Sequence, residues 1–370
     1  MRKNLLIIIT LLSVIISSCD KKKESAPPPE IIPGSSPVSI AEDIQGGSAD
    51  IPVSLSVAYD KPVSVDYYTA DSTAVAGRDY VAVTSGKLTF APGEKSKSIQ
   101  IALIPNPSLT QDAYFKLVFT TPVNGKLAGT VLKVRIINVD FVTLAWSDEF
   151  ASGPLNSSTW NYELGAGGWG NNELQTYTNS VNNVHIDSGY LHISALSPVP
   201  SSYTSGRITT RGKKEFKWFR VDIRAKLPEG KGIWPAQWML GANFSTVGWP
   251  KCGEIDIMEL VGHQPSTVYG TIHWDAPGYT SRGGSFSVNG SKFSSGFHIF
   301  SLVWTPNYLK WYVDNQQFFY LNRNEIGTFP LNLPQFFIFN VAVGGNWPGS
   351  PDQTTHFPQH MIIDYIRVYQ

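Results

Sequence analysis

From about residue 38 to residue 369 the chain is written in short runs that alternate apolar and polar residues, with Gly and Pro between them. Ile51-Pro-Val-Ser-Leu-Ser-Val57, Phe216-Lys-Trp-Phe-Arg-Val-Asp-Ile-Arg-Ala-Lys-Leu227 and Met361-Ile-Ile-Asp-Tyr-Ile-Arg-Val-Tyr369 are examples. A period of two places successive side chains on opposite faces of a sheet, and no long stretch carries the helical period. The chain is therefore expected to be all-β. Its 370 residues suit two domains, each large enough to bury a core without disulfides. Residues 38–140 have the size and turn spacing of an Ig-like β-sandwich. Residues 141–370 are most simply two large sheets packed face to face, as in a jelly roll.

The N-terminus reads differently. Arg2 and Lys3 precede an apolar run from Leu5 to Ile16, which has the length of a signal h-region. It ends in Ile16-Ser17-Ser18-Cys19, where small residues before a cysteine resemble a bacterial lipobox. Residues 1–19 are thus expected to be a lipoprotein signal peptide, with Cys19 lipidated and the mature protein exported and held at a membrane. An ordinary secretory signal with an incidental cysteine is the alternative. Residues 20–37, rich in Lys, Pro and Ser, read as a flexible tether. Cys252, the other cysteine, reads as a small core residue. The 29 basic and 29 acidic residues balance and no basic stripe stands out, which argues against a nucleic-acid partner. A monomer is expected.

The segment richest in chemistry is Gly253-Glu254-Ile255-Asp256-Ile257-Met258-Glu259-Leu260. Acids alternate with apolar residues, so it reads as a strand with one acidic face. Like charges this close raise one another's pKa, a device suited to keeping one acid protonated beside an ionised one. Glu254 and Asp256 share a face, but Glu259 lies five residues from Glu254 and falls on the opposite face of a regular strand. A β-bulge at Ile257-Met258 would absorb the extra residue and return Glu259 to the acidic face. The two glutamates would then sit about 6–7 Å apart along the strand, within reach of a retaining mechanism. A solvated strand with incidental acids is the plain alternative. The surroundings weigh against it: Trp234, Trp238, Trp249 and Trp274 flank the motif, and flat rings beside carboxylates are what a sugar cleft needs.

Two resemblances follow. Tyr68-Thr-Ala-Asp-Ser-Thr-Ala-Val-Ala-Gly-Arg-Asp-Tyr80 and Gly86-Lys-Leu-Thr-Phe-Ala-Pro-Gly-Glu94 resemble the Calx-beta family. Some members bind calcium through clustered acids, but residues 104–114 carry few, so residues 38–140 read as a spacer or docking module. Trp249-Pro-Lys-Cys-Gly-Glu-Ile-Asp-Ile-Met-Glu259 resembles the active-site motif of glycoside hydrolase family sixteen, in its laminarinase branch. Matching blocks follow in order: Trp169-Gly-Asn-Asn-Glu-Leu-Gln-Thr-Tyr177, Ser205-Gly-Arg-Ile-Thr-Thr-Arg211, Gly232-Ile-Trp-Pro-Ala-Gln-Trp238, Gly270-Thr-Ile-His-Trp274, Ala342-Val-Gly-Gly-Asn-Trp-Pro-Gly349 and Asp364-Tyr-Ile-Arg-Val-Tyr369.

This resemblance implies a concanavalin-like β-jelly roll and retaining endo-hydrolysis of β-1,3-glucan without a catalytic cofactor. By position in the motif, Glu254 would be the nucleophile, Glu259 the acid/base, and Asp256 the residue that tunes Glu254. Asn172, Glu173, Arg207, Trp234, Trp238, Trp249, His273 and Trp347 would contact the polysaccharide. A structural calcium would sit on the convex face, held by Glu149, a backbone carbonyl from Gly189, and Asp364. The rival readings are a mixed-linkage β-1,3-1,4-glucanase or algal galactan hydrolase of the same family, and a non-catalytic surface glycan-binding protein.

Overall fold

In a computed structural model, residues 27–370 are described apart from 35, 43–46, 107, 108, 110 and 331. The expected signal peptide, Cys19 and the first part of the expected tether lie outside the described residues. Among those described, the chain is almost entirely strands, and no helix is long and apolar enough to cross a membrane.

The N-terminal domain is a sandwich of a four-stranded and a five-stranded sheet. Its core is filled by the inward half of each alternating strand: Ile51, Val53 and Leu55 from one sheet, Phe115, Leu117 and Phe119 from the other. The tether ends earlier than its composition suggests. Glu30–Pro33 is a strand, antiparallel to Ser48–Leu55 and parallel to Lys126–Leu127. Ile31 is fully buried there, and burial of one β-branched side chain with backbone pairing on both sides outweighs the polar residues around it.

The C-terminal domain stacks a ten-stranded sheet on an eight-stranded one. Phe219–Lys226 buries every second residue, as its alternation requires. Gln335–Val343 is buried throughout. Phe337, Phe339, Val341 and Val343 enter the inter-sheet core, while Phe336 and Ile338 pack on the other face with Leu240 and Cys252. Cys252 is thus the core residue expected, and burial pushes its thiol up to about 11, which leaves it inert at neutral pH. A small apolar cluster joins Ala41, near the start of the first domain, and Phe141, at the domain junction, to Val303 and Tyr308 of the second domain.

The strands that matter for function are neighbours in the eight-stranded sheet. Arg207–Thr209, Gln335–Val343, Ile233–Gly241, Glu254–Glu259 and Thr267–Asp275 lie side by side in that order. One face of this sheet is core. The other carries the cleft.

Candidate active site

The Glu254–Glu259 strand contains the expected bulge. Asp256 pairs with Thr271 and Glu259 with Tyr269, so three steps on one strand oppose two on the other. The register against Ile233–Gly241 shifts at the same place. Ile255, Ile257 and Met258 all enter the inter-sheet core, and Glu254, Asp256 and Glu259 all line the cleft. Two features beneath the sheet hold the irregularity. Trp311 donates its indole N–H to the backbone carbonyl of Asp256 at 2.8 Å, satisfying a buried acceptor beside the disrupted ladder. The residue opposite is Gly270, where a Cβ would lie 2.5 Å from Trp311 Cδ1. Glycine at 270 is what lets the indole reach the bulge.

The cleft encloses about 700 Å³. At its centre, Trp234 donates its indole N–H to Glu259 Oε1 at 3.0 Å. His273 Nε2 lies 3.0 Å from Asp256 Oδ2 and 3.6 Å from Glu254 Oε1. The approach to Asp256 is electrostatic, because that buried oxygen has no aligned hydrogen bond. Tyr279 Oη meets His273 Nδ1 at 2.9 Å. Glu254, Asp256 and His273 have ligand atoms within 4.8 Å of one another, yet two acids and an imidazole at the centre of a sugar-sized cleft also form a proton-sharing set, which the chemistry below uses.

Among the described residues no lysine or arginine pairs with these acids, and burial is the first cause of each of their shifts. Burial, then Asp256, pushes the Glu259 carboxyl up to about 8, with His273 and the Trp234 indole pulling the other way. Burial pushes Glu254 well above the ordinary carboxylate range, reinforced by Asp256 and Glu259 and opposed by His273 and a hydrogen bond from Trp249. Asp256 is also raised by burial. Buried together, the three share protons at neutral pH, with His273 and an indole N–H easing ionisation at both Glu254 and Glu259. A protonated Glu259 beside an ionised Glu254 is the protonation pattern that retaining glycoside hydrolysis needs.

Most of the other residues expected to meet the polysaccharide line the cleft. Glu173, raised mainly by burial, accepts from Gln175 Nε2 at 2.6 Å and Tyr177 Oη at 3.3 Å and still lines the cleft. Arg207 bonds Glu163 at 2.5 Å, and its guanidinium lies 4.7 Å from the Trp169 ring and 4.9 Å from the Trp238 ring. Trp238 donates to Asn340 Oδ1 at 2.8 Å. Trp347 stands edge-on to Trp234 with ring centres 5.5 Å apart. Trp249 and Trp347 remain 49% and 41% exposed, the open rings a pyranose face can cover.

Asn172 and the residues expected to hold calcium are engaged otherwise. Asn172 is not among the cleft-lining residues; at a left-handed φ of 57° it donates to Asn346 Oδ1 at 2.8 Å. Its neighbour Asn171 lines the cleft instead. The proposed calcium donors are already matched by arginines. Glu149 accepts two hydrogen bonds from Arg367, at 3.0 and 2.7 Å, and Asp364 pairs with Arg224. Gly189 sits in a turn at φ 83°. Guanidinium groups on both carboxylates oppose a cation there, so these residues as arranged do not fit calcium.

Reading the sequence missed Tyr269, Tyr279 and Asn340. Tyr269 pairs with Glu259 across the ladder and stands edge-on to Trp347 at 5.1 Å. Tyr279, 58% exposed, lies 5.3 Å from Trp249 between ring centres. Tyr269 was accessible to reasoning, since it shares the outward parity of Thr271 and His273 on one strand. Tyr279 and Asn340 come from other strands and carried no local signal.

A double-sheet sandwich with this buried, bulged acid strand under exposed tryptophans is a glycan-cleaving architecture, and the comparisons agree. The model of "Glycosyl hydrolases family 16" matches residues 169–367, and that of the "Calx-beta domain" matches residues 35–143. The chain belongs to glycosyl hydrolase family 16 and carries a Calx-beta domain before the catalytic one. The laminarinase catalytic domain of Thermotoga maritima is 48% identical, with a TM-score of 0.58, over 62% of this chain and 98% of that one. The β-glucanase of Rhodothermus marinus is 39% identical over 244 residues, 61% of this chain and 85% of that protein. Glucan endo-1,3-β-glucosidase A1 of Niallia circulans is 40% identical over 258 residues, 62% of this chain but 38% of that protein.

Proposed function

We propose that the protein is a retaining endo-hydrolase of β-1,3-glucan. The observation that carries this is the bulge that brings Glu254 and Glu259 to one cleft face although their spacing is odd. Glu259, protonated, gives its proton to the departing glycosidic oxygen while Glu254 attacks the anomeric carbon. Glu259, now a base, takes a proton from the water that releases the sugar and restores the free carboxylate of Glu254. Asp256 and His273 distribute charge around Glu254, so that attack and release do not leave an uncompensated buried charge. The laminarinase and endo-1,3-β-glucosidase relatives support β-1,3-glucan over the other glycans of the family. Reducing-end release from purified laminarin, lichenan and agarose tests the choice. Laminarin should be cleaved fastest; cleavage of agarose alone would overturn it. The presence of both glutamates argues against a purely binding role.

The export reading belongs to the same proposal. A lipid on Cys19 would tether the enzyme to a membrane, with the Calx-beta domain as spacer beneath the catalytic one. Mass spectrometry of the mature N-terminus tests it: a diacylglyceryl cysteine is expected, and cleavage elsewhere would contradict it.

A further inference from the structure

Three of the chain's seven histidines gather far from the cleft, on the outward face of the ten-stranded sheet. His185 on Val184–Asp187 and His192 on Tyr190–Val199 are direct cross-strand partners of each other. His360 lies on the next strand, Gln359–Tyr369, opposite Ser194 and diagonal to His192. The His185 and His192 rings stack with centres 4.8 Å apart, and those of His192 and His360 are 6.3 Å apart. His185 and His360 also line one shallow pocket with Leu196 and Pro358. The catalytic mechanism uses none of them.

From this geometry we propose that His185, His192 and His360 form a site for one divalent transition-metal ion of the copper class. An imidazole nitrogen binds such an ion at about 2.0–2.1 Å, which places the ring centre about 3.2 Å from it, so two rings sharing an ion have centres no more than about 6.4 Å apart. That limit is a linear N–metal–N arrangement: the 4.8 Å spacing corresponds to an angle of about 97° and the 6.3 Å spacing to about 160°, a pair that suits the tetragonal preference of Cu2+ and not tetrahedral zinc. As arranged the His185 and His192 rings stack instead of converging, so binding requires these two to turn about their Cβ–Cγ bonds while Ser194 keeps His360 in place.

Three further observations fit. His185 Nδ1 is buried without a hydrogen-bond partner, an oddity that a ligand would resolve. His360 Nδ1 is held by Ser194 Oγ at 2.7 Å, which leaves Nε2 as the ligating atom and supplies the outer partner that metal-binding histidines use. Burial, and then the neighbouring imidazoles, lower His192 and His360 toward the neutral form that binds metal, with Asp187 the opposing acid at His192. An all-imidazole donor set suits zinc, copper and nickel and disfavours calcium and magnesium. Bound there, the ion would tie three adjacent strands together on the face opposite catalysis.

The test uses the full-length chain without a histidine tag, stripped with chelator and titrated with Cu2+ by calorimetry and electron paramagnetic resonance. One ion per chain with nitrogen hyperfine coupling is expected. His185→Gln, His192→Gln and His360→Gln should each weaken binding at least about tenfold and leave laminarin hydrolysis unchanged, whereas His273→Asn should leave binding intact. Should a variant fold poorly, substoichiometric Cu2+ on the unmodified chain decides: the ring protons of His185, His192 and His360 should broaden before those of His263, His273, His298 and His356. Binding that survives all three substitutions, that is lost with His273, or that broadens His273 first would overturn the proposal.

Discussion

The two sheets of the catalytic domain treat carboxylates in opposite ways. On the outer face of the ten-stranded sheet, Glu149 is half-exposed and doubly bonded to Arg367, which holds its carboxyl below the ordinary range. On the cleft face of the other sheet, Glu254, Asp256 and Glu259 sit together in burial with no arginine or lysine pairing any of them, and all three are raised. The same side-chain chemistry serves as surface pairing in one place and as a proton reservoir in the other. What differs is water and the partner. Removing solvent from like charges costs free energy that a stability-driven sequence avoids, so an unpaired buried cluster marks chemistry.

The largest effects should come from breaking the cleft's side of this contrast. Glu254→Gln and Glu259→Gln should each lower kcat on laminarin by at least about a thousandfold, within the range for loss of a nucleophile or general acid. Binding of laminarin, read by affinity electrophoresis, should persist. Next is the support beneath the bulge. Gly270→Ala pushes a methyl into Trp311 and should misplace Glu259 against Glu254. A shift on the order of 1 Å costs about a hundredfold in rate, and it should appear in kcat more than in KM.

The pH dependence of stability tests the electrostatics. The folded pKa of Glu259 is raised to about 8 from an ordinary carboxylate value. The fold therefore binds this proton more tightly than the unfolded chain does. That contribution is complete below the unfolded pKa and is lost as pH rises toward 8. Glu259→Gln should consequently melt above the unmodified protein at pH 8–9, with the gap closing toward pH 4. Activity should fall on the alkaline side as the acid/base loses its proton. The smallest effect should be on the outer face. Arg367→Ala removes an exposed ion pair worth at most about 1 kcal/mol, a small change in the melting temperature with kcat unaltered.

Much of the cleft was legible because its information is local. An alternating strand with one surplus apolar residue, Ile257-Met258, demands a bulge if both glutamates are to work, and the register shift lies there. The layered all-β architecture was legible for the same reason, from the period of two. What was not legible depends on contacts between distant strands. The arginines that occupy Glu149 and Asp364 come from the strands Gln359–Tyr369 and Phe219–Lys226. Asn172 has a left-handed backbone and is engaged by a bond to Asn346 across 174 positions. Trp311, which holds the bulge from below, is 55 positions from Asp256. The strand at Glu30–Pro33 was hidden by polar, proline-rich neighbours.

The stereochemistry of the first product tests the central claim most directly. Proton NMR of a fresh laminarin digest should show the β-anomer appearing first and the α-anomer growing only by mutarotation, because a Glu254 glycosyl intermediate inverts the anomeric centre twice. An α-anomer formed first would mean a single displacement by water, and Glu254 would not be the nucleophile.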